Sequence, residues 1–254
     1  MVNSFLSKVL LATLVLYSAS ESANAMGRKH SQPKPGQVQT NPTPNSTPRS
    51  TATATPAPTP SNHAGPISGA ESCHSTDPNH ICIGVKVVSF VKNGKEVLNH
   101  DQAIALISRV SKVWNQCNIG FQLEDYKAAD PTASGLSYEV DWYNDGDTVR
   151  NAYQDTSRFL MVAAGKLTGS SNTTGVTWDA GTGDGFYGSL IDGAYAQDEL
   201  TVAHEFGHYQ GLYHVSDQSN LLYAYAEDDN HVLTSKQCAT ARSANYEYWQ
   251  QMLR

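Results

Sequence analysis

The hydrophobic pattern of the chain changes character near residue 73. Before it, the one sustained apolar run is Val9–Tyr17. After it, apolar residues recur at the periods of strands and helices. Ile81–Val91 is β-branched and alternating, which predicts a strand. Ala103, Leu106, Ile107, Val110, Val113, Trp114 and Cys117 then recur at helical spacing, with Asn99 or Asp101 as the cap. Ile119, Phe121 and Leu123 alternate with Gly120, Gln122 and Glu124, a second strand. Phe159–Ala164 predicts a buried strand, Val176–Trp178 a short edge strand, and Tyr187–Ile191 a further one. Asp198–Gln210 predicts a helix. Thr234 opens a last helix, with Gln237 placed for a capping box and with Cys238, Ala241, Trp249 and Met252 able to share a face. No internal repeat is visible, and the whole predicts one α+β domain over residues 73–254.

Composition separates the first 72 residues from this domain. Lys8 precedes the run Val9–Tyr17, and Ala23-Asn24-Ala25 supplies a small-x-small cleavage pattern, so residues 1–25 read as a secretory signal peptide. Nine of the 11 prolines lie between Pro33 and Pro66, and no Phe, Tyr or Trp occurs from Met26 to Ser72. Residues 26–72 therefore read as a Pro/Thr/Ser-rich linker or pro-segment that cannot seed a core. The expected location is extracellular, or the periplasm or cell surface if the host is bacterial. No apolar run approaches the roughly 18 residues that span a bilayer.

The chain carries 17 Lys+Arg against 24 Asp+Glu. Five of the bases and two of the acids precede Cys73, so the folded part is more acidic than the whole. Nucleic acid is excluded as a main partner, because phosphate binding needs an excess of Lys and Arg. Four cysteines in an exported chain suggest two disulfides. Of the three pairings we favour Cys73–Cys82, closing a short loop, with Cys117–Cys238 tying the end of one helix to the start of the last.

The chemistry lies in Thr201–His214, TVAHEFGHYQGLYH, which contains H-E-x-x-H-x-x-G-x-x-H. His204 and His208 stand one turn apart on a helix, so both imidazoles reach one ion. Glu205 places a carboxylate beside that ion without binding it. Gly211 can take a positive φ and turn the chain so that His214 closes the donor set. Three neutral nitrogens leave a tetrahedral zinc one open position, as a catalytic site requires. A zinc-activated water with Glu205 as general base is the expected chemistry. Asp179, Asp184 and Asp192 carry the oxygen donors that calcium takes, a second candidate cofactor.

This segment resembles the zinc-binding consensus of the metzincin clan of zinc metalloendopeptidases. The resemblance implies that His204, His208 and His214 are zinc ligands and that Glu205 is the catalytic base. It also implies a twisted mixed sheet of about five strands, an active-site helix, a C-terminal helix and an edge strand along which a peptide substrate lies. Val176–Trp178 is the candidate for that edge. The clan places a methionine in a tight turn below the metal, yet no methionine occurs here between His214 and Met252. Leu222 takes its place in a matrixin-like register, and Leu221 in an astacin-like one. Tyr223 or Tyr225 is a candidate for stabilising an oxyanion. The expected function is that of a secreted endopeptidase acting on protein or peptide substrates. The alternatives are a zinc amidase acting on cell-wall peptides and a catalytically silent zinc-containing binding domain.

Overall fold

The computed structural model of the chain describes residues 65–170, 172–178, 188–225 and 230–254. The expected signal peptide, most of the expected linker and the Asp179–Asp184 loop lie outside the described residues.

β1 (Ile81–Lys92) is flanked by β3 (Ile119–Ala129) on one side and β5 (Phe159–Ala163) on the other, both parallel to it. β8 (Gly188–Ile191) continues the parallel sheet beyond β5, and β7 (Gly175–Trp178) pairs antiparallel to β8 at the edge. The central strands are apolar at odd and even positions alike because both faces are covered. Ile83, Val85, Val87, Phe159, Met161 and Ile191 face one core, shared with α1 (His100–Trp114) and α3 (Glu199–Tyr209). Val88, Phe90, Leu160, Val162 and Leu190 face a second, beneath α2 (Gly146–Tyr153). This is the twisted mixed sheet expected, parallel at its centre and antiparallel at β7. Among the described residues no helix is long and apolar enough to cross a membrane.

The capping residues place the helices where the sequence indicates. Asn99 caps α1 and Thr234 caps α4 (Ser235–Tyr248), each in a reciprocal capping box with a glutamine at the third helical position. Both favoured disulfides are present. Cys73–Cys82 closes the loop before β1, and Cys117–Cys238 joins the turn after α1 to the first turn of α4.

Several details differ from the sequence reading. β3 runs five residues past Glu124, because a register shift opposite Val85/Lys86 breaks its alternation there. α4 stops at Tyr248, so the buried Trp249 and Met252 lie in the following cap and 3-10 turn rather than on its face. Ile67 donates its N–H to the Leu123 carbonyl at 2.9 Å, and Ile67 and Ala70 pack against the core. The folded body thus extends N-terminal of Cys73. β2 (Lys95–Glu96), α2 and the small parallel pair β4 (Glu139–Asp141) and β6 (Lys166–Thr168) were not anticipated. Arg150 occupies a fully buried position of α2, which hides that helix's apolar face.

Candidate metal centre

α3 begins at Asp198, whose carboxylate accepts hydrogen bonds from the N–H groups of Leu200 and Thr201 and from the Thr201 hydroxyl. Its inner face is pinned to the core. Trp114 Nε1 donates to the Ala203 carbonyl at 3.1 Å, Phe206 packs against Phe121 and Phe159, and Tyr209 stacks on Phe159 at 4.0 Å. The outer face carries His204 and His208. At the helix end Gly211 adopts φ +75°. Its N–H donates to the His208 carbonyl and that of Leu212 to the Gly207 carbonyl, a left-handed cap that sends the chain back toward the helix. His214 arrives from that turn.

The structure brings the three histidines together. Their Nε2 atoms stand 3.0 Å (His204–His208), 3.1 Å (His204–His214) and 3.1 Å (His208–His214) apart. Among the described residues they form the one cluster of three or more His, Cys, Asp or Glu donor atoms within ligating reach of each other. On His204, Nδ1 lies 2.7 Å from the Leu221 carbonyl, and on His208 it lies 2.8 Å from the Leu212 carbonyl. A carbonyl only accepts, so both Nδ1 atoms carry the proton and both Nε2 atoms present lone pairs. Burial above all, then the neighbouring His208, push the His204 imidazole down to about 3, and burial also lowers His214.

Converging lone pairs repel unless a cation sits among them. Two nitrogens bound to one zinc at about 2.0–2.1 Å with near-tetrahedral angles stand roughly 3.3 Å apart. The separations here fall within a few tenths of an ångström of that, and the donors are of the type zinc prefers. The residues fit the ion.

Glu205 points to the other side of α3's outer face, toward β7. It is 4% exposed, and Thr177 Oγ1 donates to its Oε2 at 2.6 Å. Burial pushes its carboxyl up to about 7 against the opposing pull of that hydrogen bond. A cavity of about 200 Å³ opens beside the cluster, lined by His204, Glu205 and His214 together with Thr174, Leu221 and Asn230.

The two leucines of the following turn take different places. Leu222 is fully buried against Gly207 of α3, where an added Cβ would meet both of its Cδ atoms at 3.1 Å. Leu221 lines the cavity and supplies the carbonyl that orients His204. Leu222, the residue of the matrixin-like register, is thus packed under α3. Tyr225 is 67% exposed and packs on the Tyr223 ring at 5.6 Å. Of the calcium candidates only Asp192 is described. Its two oxygens accept from the N–H groups of Leu167 and Ala194.

The model of the matrixin family, peptidase family M10, matches residues 87–244, more than half of the chain. The chain belongs to the matrixin family. It is accordingly a zinc metalloendopeptidase of the metzincin type. Comparison with curated proteins gives no match. Among solved structures the chain is similar to mature mirolysin of Tannerella forsythia in complex with a cleaved peptide. That match has TM-score 0.53 and 12% identity, and covers 69% of this chain and 98% of that one. A promirolysin mutant from the same organism aligns with TM-score 0.53 and 13% identity, covering 68% of this chain and 84% of that one. At such identities the likeness is one of fold.

Sequence reasoning missed Thr177 and Gly175, which face Glu205 from β7. No local signal marks either, since their meaning comes from the packing of a strand on a distant helix. Asp198 was legible as a helix start and proves to be its cap.

Proposed function

We propose that this chain is an exported endopeptidase in which His204, His208 and His214 hold one zinc ion and Glu205 is the general base of peptide hydrolysis. The observation that carries this reading is the convergence of three Nε2 atoms beside a buried carboxylate on one helix. When bound, zinc supplies a Lewis acid that acidifies water and polarises the scissile carbonyl. The chain's own groups do the remaining work. The Leu221 and Leu212 carbonyls hold two imidazoles in the tautomer that presents Nε2. Glu205, with a proton affinity near neutrality, takes a proton from the attacking water and returns it to the departing amine. Leu222 packs against Gly207 of the helix that carries two of the donors.

β7 is paired with β8 on one side, and among the described residues no strand pairs its other side. An extended peptide adding to that free edge would pass beside the cavity, a mode in which main-chain hydrogen bonds supply affinity. The apolar run Val9–Tyr17 with Ala23-Asn24-Ala25 supports export, and the two disulfides suit an oxidising compartment.

The test compares the wild type with Glu205→Gln, scoring zinc by elemental analysis and cleavage on a broad peptide library. The variant keeps its zinc and loses roughly 10²–10⁴-fold in turnover. Turnover within a few-fold of wild type refutes the role of Glu205. A zinc-loaded wild type that cleaves no peptide refutes the endopeptidase reading and leaves a zinc domain that binds without cleaving.

A further inference from the structure

We propose that Thr177 is a positioning residue for Glu205, backed by Ser189, and that this hydroxyl pair determines which carboxylate oxygen is free to accept a proton. The proposal rests on the general-base reading above and goes beyond it.

Thr177 Oγ1 lies 2.6 Å from Glu205 Oε2 and 2.7 Å from Ser189 Oγ. Thr177 has one hydroxyl proton, and Glu205 in the ionised form that acts as a base can only accept. That proton therefore goes to Glu205, and Ser189 donates to the Thr177 oxygen. The result is a directional chain, Ser189 to Thr177 to Glu205. Its spacing comes from the sheet ladder, because Thr177 and Ser189 are directly opposed in the β7–β8 register. Ser189 is fully buried and Glu205 nearly so, which keeps water from competing for these bonds.

A second contact completes the clamp. Gly175, two residues earlier in β7 and so on the same face as Thr177, lies directly against the carboxylate arm. A Cβ built there would stand 2.7 Å from Glu205 Cγ and Oε1 and 2.8 Å from Cδ. Glu205 therefore meets β7 at both of its oxygens, through a hydrogen bond at Oε2 and close to bare backbone at Oε1. Thr177 takes one lone-pair site of Oε2, which leaves Oε1 the less committed oxygen for the proton. The Thr177 hydroxyl bonds Glu205 and Ser189, so the pair acts on the base.

The experiment uses Thr177→Val, which removes the hydroxyl at nearly constant shape, with Thr177→Ser, which restores it, and Ser189→Ala. In one peptide assay the Val variant loses ~10–100-fold in kcat, the loss expected on removing an orienting partner. Its KM stays near wild type because ground-state binding is not what was removed. Zinc content is unchanged, and Thr177→Ser recovers most of the rate. A readout independent of activity uses chelator-treated protein. Thr177→Val lowers the thermal midpoint by roughly 2–4 °C, about the shift expected for one hydrogen bond. The same substitution in a Glu205→Ala background lowers it little. If the Val variant fails to fold, Ser189→Ala carries the same expectation at smaller size. Wild-type kcat in Thr177→Val overturns the proposal, as does a Ser variant as slow as the Val one. An equal midpoint drop with and without Glu205 also overturns it. An inactive wild type overturns this proposal together with the general-base reading, whereas an active wild type with an unaffected Val variant overturns this proposal alone.

Discussion

Gly175→Ala adds one methyl group at the closest approach of β7 to the base. The new Cβ would stand 2.7 Å from Glu205 Cγ and Oε1 and 2.8 Å from Cδ, where ordinary van der Waals contact begins at 3.4 Å. Something must give by about 0.7 Å. The strand is constrained by its ladder to β8, while the backbone of α3 is fixed by Trp114 and Phe206. The movable party is the Glu205 side chain, and relieving the overlap draws its carboxylate away from Thr177. A misplacement of this size in a reacting group costs on the order of 10²-fold in rate. The Thr177 hydrogen bond lost as Glu205 moves off β7 adds about 1 kcal/mol of destabilisation. Steady-state kinetics on a quenched fluorescent peptide, with elemental analysis and a melting curve on the same preparation, separate the two effects. The expectation is a kcat lowered ~10–100-fold, zinc retained and a midpoint lowered by a few degrees. A variant with kcat within twofold of wild type would show that β7 does not press on the base, and the clamp would have to be abandoned.

Two further outcomes follow from the packing around the centre. Leu222→Ala empties the space beneath Gly207 and should cost ~2–5 kcal/mol in urea unfolding, whereas Leu222→Met, of similar volume, should cost less than about 1.5 kcal/mol. Equal losses in the two would show that volume at this position is not what matters. Asp77 is held below the usual carboxylate range by the Asn79 N–H and then by the Asn118 side chain. A carboxyl lowered in the folded state adds stability above its unfolded pKa and loses it as pH falls through the folded value. The stability difference between wild type and Asp77→Ala should therefore be constant from neutrality to about pH 5 and close below pH 4. A difference that persists at pH 2 would refute the assignment.

How much of this could be read in the sequence depended on the distance over which each feature is determined. The donor set was legible because eleven residues carry their own geometry. The i, i+4 spacing fixes His204 and His208 on one face, and a glycine with φ +75° returns the chain for His214. The capped helices and the two-sided strands were legible for the same reason: Asn99, Thr234 and the unbroken apolar run of β5 act over a few residues. The Asn93-Gly94 turn into β2 is an equally local hairpin signal. α2 was hidden by a different cause, a buried Arg150 where the helical period calls for an apolar residue. The groups that orient the centre belong to a third class. Leu221 reaches His204 across 17 residues and Thr177 reaches Glu205 across 28, and both reaches are set by tertiary packing. A threonine two positions after a glycine in a short strand says nothing on its own. Both gain a role only when β7 lies over α3 in a register that puts Thr177 opposite Ser189. For this reason the metal donors can be named from the chain alone, while the control of Glu205 becomes visible only in the folded molecule.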